Sequence, residues 1–274
     1  MASITINDVH GFTVLVTELV EKVGKKFIRA NNAAAKNVTD LQIGGREIKL
    51  EADTMLEKEL IKGLSLTGIA ILSEETGFIP GKSLPQLLWV IDPLDGSYNF
   101  SRNLGPSMIS VALWDSNEPI LGVMFNLVTK QMIFGGPQIG AHVGKNPVTV
   151  SDRKDRGQAT LVTGFPSRFP ISDAKAVASF AEILTSFGKV RMIGSACASL
   201  ALVATGSADV YAEHNIMFWD IAAGLAIVNG AGGTFELEGV NLSEGIFSEP
   251  CTVVASNNKF GVSVTMFDKM RGLA

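Results

Sequence analysis

The chain has 274 residues, of which 46% are hydrophobic and 18% charged, with 28 glycines and a formal net charge of −4. This composition excludes a disordered chain and describes a well-packed globular protein rich in tight turns, long enough for one large domain or two fused halves. With no basic excess, a nucleic-acid polymer is not an expected partner; a small anionic substrate stays compatible, because bound metal ions reverse a site's local charge.

The N-terminal MASITINDVHGF has no basic segment followed by an apolar one, so no signal peptide is expected. No apolar run reaches the ~18 residues of a membrane span, and the expectation is a cytoplasmic protein with no membrane partner. Phe12, Leu15, Val16, Leu19, Val20, Val23 and Phe27 recur at helical spacing and predict an amphipathic helix over 9–29. Polar, glycine-containing NNAAAKNVTDLQIGGRE follows as a mobile loop or hairpin, and EADTMLEKELIKGL as a second helix. GIAILSEE and LLWVID read as strands that each end in acid. MISVALW and PILGVMFNLVTKQMIFGG predict adjoining antiparallel strands with Glu118-Pro119 at the turn.

HVGKNPVTVSDRKDRGQ reads as a charged connection, and the pattern changes after it. ATLVTGF is strand-like, 173–187 helical, KVRMIG a strand, and SACASLALVATGSA a helix ended by glycine. ADVYAEH is a strand. WDIAAGLAIVNGAGG is a helix opened by Asp220 and closed by Gly230, Gly232 and Gly233. The expected architecture is α/β, a single domain over 1–274. Its two halves, 1–150 and 151–274, meet near residue 150, with sheets between helical layers. Cys197 and Cys251 are far apart and read as reduced core thiols; His10, His142 and His214 have no ligand spacing, so zinc is not expected.

The chemistry concentrates in acids at element ends: Glu74 and Glu75, Asp92 and Asp95, and Asp220. In open α/β sheets ligands bind beyond the carboxyl ends of strands. Carboxylates gathered there repel one another unless a cation neutralises them, and Mg²⁺ favours such oxygen ligands. In DPLDGS, Pro93 is expected to stop the strand. The following turn would present Asp92, the Leu94 carbonyl and Asp95 to one side, and the N–H groups of Gly96 and Ser97 to an anionic oxygen. Together these are the parts of metal-assisted phosphoryl hydrolysis. Taken singly, SEE is a solvated loop, WD a helix cap and DPLDG a turn more often than a site.

LSEETG, WVIDPLDGSYNF and WDIAAGLAIVNGAGG, in this order and spacing, resemble the inositol monophosphatase superfamily of Mg²⁺-dependent, lithium-sensitive phosphatases. EADTMLEKEL and GSACASLALVATGSADVYAEH extend the resemblance over about residues 8–265. It implies a layered αβαβα sandwich, commonly homodimeric, with two or three Mg²⁺ ions. By resemblance, Glu74, Asp92 and the Leu94 carbonyl hold the first metal, and Asp92, Asp95 and Asp220 the second. A third, weaker ion lies near Glu74, helped by the loop around Lys36. Asp53 and the Ser97 hydroxyl orient the attacking water. Gly96 and Ser97 bind phosphate, and Gly194, Ser195, Ala196 and Glu213 line the substrate alcohol. Leu94, Asp95 and Asp220 also border the substrate.

Ser97 stands where the family usually has threonine, and Tyr98 is larger than the usual residue. The stretch between Lys36 and Asp53 looks longer than in typical members and lacks a clean DLVTxAD motif. Inositol monophosphate is the first substrate implied. Fructose 1,6-bisphosphate, a 3′-phosphoadenosine nucleotide and histidinol phosphate follow, and a catalytically silent binding or regulatory homologue is the alternative of another class.

Overall fold

Residues 4–30, 33–42, 47–165 and 172–268 are described by the computed structural model. α1 (Ile6–Ala30) turns Val16, Val20 and Val23 of the expected stripe inward together with Val9, whereas Leu15, expected on that stripe, is exposed. After a short 3₁₀ turn (Ala33–Lys36), β1 (Val38–Gln42) and β2 (Glu47–Leu50) form an antiparallel pair that leads directly into α2 (Glu51–Leu64). The stretch read as a loop or hairpin is therefore a pair of strands; the part of that reading over 31–32 and 43–46 lies outside the described residues.

Eight strands make the first sheet: β3 (Ala70–Ser73), β4 (Gly77–Ile79), β5 (Leu87–Asp95), β6 (Met108–Asp115), β7 (Glu118–Asn126), β8 (Met132–Gly136), β9 (Gly140–Val143) and β10 (Asn146–Val148). α3 (Ser97–Arg102) interrupts them between β5 and β6. Their spatial order is β10-β9-β8-β7-β6-β5-β3-β4, antiparallel except for the β3–β5 pair.

The second sheet takes β11 (Thr160–Thr163), β12 (Lys189–Met192), β13 (Val210–Ile216), β14 (Thr234–Glu238) and β15 (Cys251–Ser256), in the order β12-β11-β13-β15-β14. α4 (Ala174–Thr185), α5 (Ala196–Ala204) and α6 (Phe218–Gly230) connect them.

Alternation along β5 and β6 sets the layers. Leu87, Trp89, Ile91, Ile109, Val111 and Leu113 pack with α1 and α2. Leu88, Val90, Met108, Ala112 and Trp114 pack with α5 and α6, whose other side meets the second sheet. That sheet's far face is covered by the turn at Val264–Phe267 and by Ile183 of α4. The result is an αβαβα sandwich whose central core joins residues from before and after 150. Both faces of β5 and β6 are buried, which is why their sequences read as nearly continuous apolar runs. α6 is buried all round, and it lies close on β7: a Cβ on Gly122 would stand 2.0 Å from the Ala223 carbonyl oxygen.

Three expectations are corrected. The turn before β7 falls at Ser116 and Asn117, and Pro119 sits inside β7 at a register irregularity opposite Trp114, where its missing N–H is tolerated. The first part of HVGKNPVTVSDRKDRGQ ends β9 and forms the edge strand β10, both too short to show a period. α6 starts at Phe218 after Met217, so Asp220 is its third residue and Gly230 its last.

Candidate functional site

The end of β5 shows how DPLD works. Directly opposite partners in an antiparallel pair share a face: Asp92 lies across from Ser110 and Asp95 from Met108, with a register shift between them. Met108 belongs to the core under α5 and α6, so both acids point there, while Leu94 points to the opposite core. On a regular strand, residues three apart would face opposite ways; the bulge restores both carboxylates to one side. Pro93, without an N–H, fits the bulge. It does not stop the strand, which continues to Asp95; this corrects the expected break. The Leu94 N–H donates to Asp92 Oδ1 at 2.9 Å.

Gly96 takes φ +82°, the left-handed region that glycine enters freely, and leads into α3. Ser97 Oγ then lies 3.1 Å from Asp53 Oδ1 and 2.9 Å from the Leu94 carbonyl oxygen. Its single proton serves one of these acceptors at a time. The other Asp53 oxygen accepts the Leu50 N–H at 2.6 Å, fixing Asp53 in the first turn of α2. The expected Asp53–Ser97 pair is thus brought together.

Asp95 reaches across the central layer to the start of α5. Oδ1 accepts the Ala196 N–H at 3.1 Å; Oδ2 accepts the Cys197 N–H at 2.9 Å and the Ser195 hydroxyl. A carboxylate is well placed at these otherwise unpaired helix-start donors. Of the three residues expected to line the substrate, Ser195 and Ala196 therefore meet Asp95 itself, and the Gly194 carbonyl accepts from the Asn99 side-chain amide. In α6, Asp220 Oδ2 accepts the Met217 N–H at 3.2 Å. Glu74 follows β3, where its own N–H donates to the Ile91 carbonyl and holds it beside β5.

The electrostatics tie these acids into one cluster. Asp92 is held well above the usual carboxylate range by burial first, then by the charges of Glu74, Asp95, Asp220 and Asp53. Asp220 is raised by burial and by Glu74 and Asp95. Burial, with Asp53 and Glu75 adding, pushes Glu74 up to about 8. Burial raises Asp53 to about 6 against its Leu50 and Ser97 hydrogen bonds. It also raises Asp95 to about 6 against the donors of α5.

Among the described residues no three His, Cys, Asp or Glu side chains stand as a ready ligand set for one metal ion; Asp92, Asp95 and Asp220 each commit an oxygen to a backbone N–H. The donor set nevertheless fits a hard divalent cation. It is all oxygen, drawn from carboxylates that raise one another's pKa, and Glu75 Oε1 is buried with no hydrogen-bond partner. Glu74, Asp92, Asp95, Asp220 and the Leu94 carbonyl could hold such ions.

Glu213 lies in β13 on the same side of the molecule, and its charge reaches Asp220. Burial pushes it up to about 7, against a hydrogen bond from the Tyr211 hydroxyl to Oε2 at 2.9 Å. Tyr211 was not singled out from the sequence, although the period of two on a strand places residues 211 and 213 on one face. Asn99 was also missed: its side-chain amide donates toward the carbonyls of Pro106, Ile193 and Gly194, at 3.1, 2.9 and 3.2 Å, and so ties α3 to the segment before α5. Lys49 gave no sequence signal; its ammonium meets Glu75 Oε2 at 2.6 Å.

Comparison with known proteins places this geometry among relatives. The family described as "Inositol monophosphatase family" matches residues 8–260. A protein of Xylella fastidiosa named Nus factor SuhB is 32% identical over 214 residues, 76% of this chain and 77% of its own length. An inositol-1-monophosphatase of Synechocystis is 30% identical over 261 residues, 92% of this chain and 87% of its own length. The crystal structure of the extragenic suppressor protein suhB from Bartonella henselae is similar with a TM-score of 0.78 at 25% identity, covering 96% of this chain and 98% of that one.

Proposed function

Because this chain belongs to the inositol monophosphatase family, we propose that it is a Mg²⁺-dependent phosphatase of small phosphate monoesters, with inositol monophosphate as the first substrate. The observation that carries this reading is the bulge at Pro93. It turns Asp92 and Asp95 to one face, toward Asp220 and Glu74, beside the Ser97–Asp53 pair.

Bound Mg²⁺ would supply Lewis-acid charge and a water of lowered pKa. The chain's own groups do the rest. The Ser97 hydroxyl, donating to Asp53, keeps its lone pairs for a proton of the attacking water and so sets that water's direction. Asp53, at about 6, lies in the range where a buried carboxylate accepts a proton near neutral pH. The N–H groups of Gly96 and Ser97 would receive phosphate oxygens. Glu213, held by Tyr211, presents a carboxylate to hydroxyls of the leaving alcohol.

The name of the Xylella relative, Nus factor SuhB, favours a second reading in which the chain acts by binding a partner without turnover. Phosphate release from a panel of inositol, sugar and nucleotide phosphates, with Mg²⁺ and with chelator, separates the two. Mg²⁺-requiring release supports the phosphatase; no release from any ester supports the binding role.

A further inference from the structure

The turn between β3 and β4 consists of Glu74, Glu75 and Thr76, since Ser73 and Gly77 are already paired. A different element holds each of its residues. The Glu74 N–H donates to the Ile91 carbonyl of β5 at 3.2 Å. Glu75 Oε2 meets the Lys49 ammonium of β2 at 2.6 Å. Thr76 is held from α2, where Glu57 Oε1 accepts its N–H at 2.9 Å and Glu57 Oε2 accepts its hydroxyl at 2.8 Å. Glu57 is 5% exposed and shares the buried face of α2 with Leu56, Leu60 and Leu64. An apolar residue would continue that face, and a buried carboxylate is costly unless hydrogen bonds offset its lost solvation. The salt bridges among the described residues do not include Glu57. Both of its oxygens are given to Thr76.

We infer that Glu57 is a positioning residue of the site, which fixes through Thr76 where the turn presents the Glu74 and Glu75 carboxylates. The inference rests on the reading of the cluster as a divalent-cation site. Asp53 precedes Glu57 by one helical turn and lies on the same buried face. α2 therefore sets two parts of the site on one rigid frame. Asp53 takes the Ser97 hydroxyl of α3, and Glu57 takes the turn that carries Glu74 and Glu75. The paired contact suits this task. One bond would let Thr76 pivot, whereas a backbone and a side-chain donor on one carboxylate fix both the place and the rotation of the turn, and such charge-assisted bonds are the strong ones. With both oxygens turned to Thr76, Glu57 acts through the turn and is not itself a ligand.

The test measures cation affinity without using turnover. Mn²⁺ is titrated into the full chain, the free ion is followed by electron paramagnetic resonance, and circular dichroism establishes which variants are folded. Glu57→Ala removes both acceptors and should weaken Mn²⁺ binding by roughly ten- to a hundredfold, the usual effect of losing a group that orients a ligand. Glu57→Gln should stay close to the wild type, because its amide oxygen can accept the Thr76 N–H while its NH₂ donates to the Thr76 hydroxyl oxygen. Thr76→Ser keeps both donors and should match the wild type. Thr76→Val loses one donor and should weaken binding in the same direction but by less; this pair decides the matter if Glu57→Ala does not fold. Wild-type affinity in folded Glu57→Ala or Thr76→Val would overturn the inference and leave Glu57 a structural acid. A loss in Glu57→Gln as large as in Glu57→Ala would sink it too, since the charge and not the grip on Thr76 would then matter. No bound Mn²⁺ on the wild type would instead overturn the cation-site reading beneath it.

Discussion

Glu213→Gln separates substrate recognition from the cation chemistry. The change removes a charge but keeps an oxygen for the Tyr211 hydroxyl, which donates to Oε2 at 2.9 Å, so the strand should stay packed. In the proposed reading the carboxylate accepts a hydrogen bond from a hydroxyl of the leaving alcohol. A bond to a charged group contributes about 1.5–3 kcal/mol, which at ~1.4 kcal/mol per decade is roughly a ten- to hundredfold loss in kcat/KM on a polyol phosphate. Because burial raises Glu213 to about 7, its charge develops across neutral pH. The gap between wild type and variant should therefore widen from about pH 6 to about pH 8. The assay is phosphate release from inositol monophosphate, run beside para-nitrophenyl phosphate, which has no such hydroxyls and should change far less. Equal losses on both esters would refute the assignment and point to damage at the cations. No loss at the higher pH would make Glu213 a core acid that only anchors Tyr211.

Ser97→Ala should lower kcat more than it raises KM, since the hydroxyl directs the water and does not grip the leaving group; steady-state kinetics showing only a KM change would place Ser97 against the substrate instead. Gly122→Ala should destabilise the fold by about 1–3 kcal/mol in urea denaturation, because the new Cβ meets the Ala223 carbonyl of α6 at 2.0 Å; an unchanged midpoint would contradict the close seat of α6. In chelator, the melting temperature should fall as pH rises from about 5 to about 8. Asp53 and Asp95 at about 6 and Glu74 at about 8 lie above ordinary carboxylate values, so their stabilising contribution is full below those ordinary values and is lost as pH passes the folded ones. Mg²⁺ should restore more stability at the upper end than at the lower; a flat profile in chelator, or equal gains at both ends, would refute this.

The helices were legible because their signals are periodic: α1 shows its apolar stripe, and α2, α4 and α5 follow patterns that local sequence specifies. β5 and β6 were legible as apolar runs because both of their faces are covered. The short strand β9 and the edge strand β10 were not, since four- and three-residue strands take their conformation from the neighbours they pair with. No strand was read after residue 233, so β14 and β15 were also missed. At the site, the acids stood out by type and position, and the Asp53–Ser97 pair followed from resemblance. The role of Pro93 was misread because a bulge depends on the register against β6, which one strand's sequence does not carry. Ser195 and Ala196 were expected against substrate, whereas their donors meet Asp95, a contact across about a hundred residues of chain. Lys49, between the stretch read as a loop or hairpin and the second helix, carried no signal until the start of α2 was set beside Glu75.

The central claim is that the cluster around Asp92 performs cation-assisted hydrolysis, and Asp92→Asn addresses it most directly. The amide can still accept the Leu94 N–H, so the bulge should persist and circular dichroism should match the wild type. The lost charge is the one on which Glu74, Asp95, Asp220 and Asp53 all bear, and a ligand shared between two ions supports several kcal/mol of the transition state's charge. Phosphate release from inositol monophosphate at saturating Mg²⁺ should be present in the wild type and nearly abolished in the folded variant; wild-type-like turnover in Asp92→Asn would contradict the account.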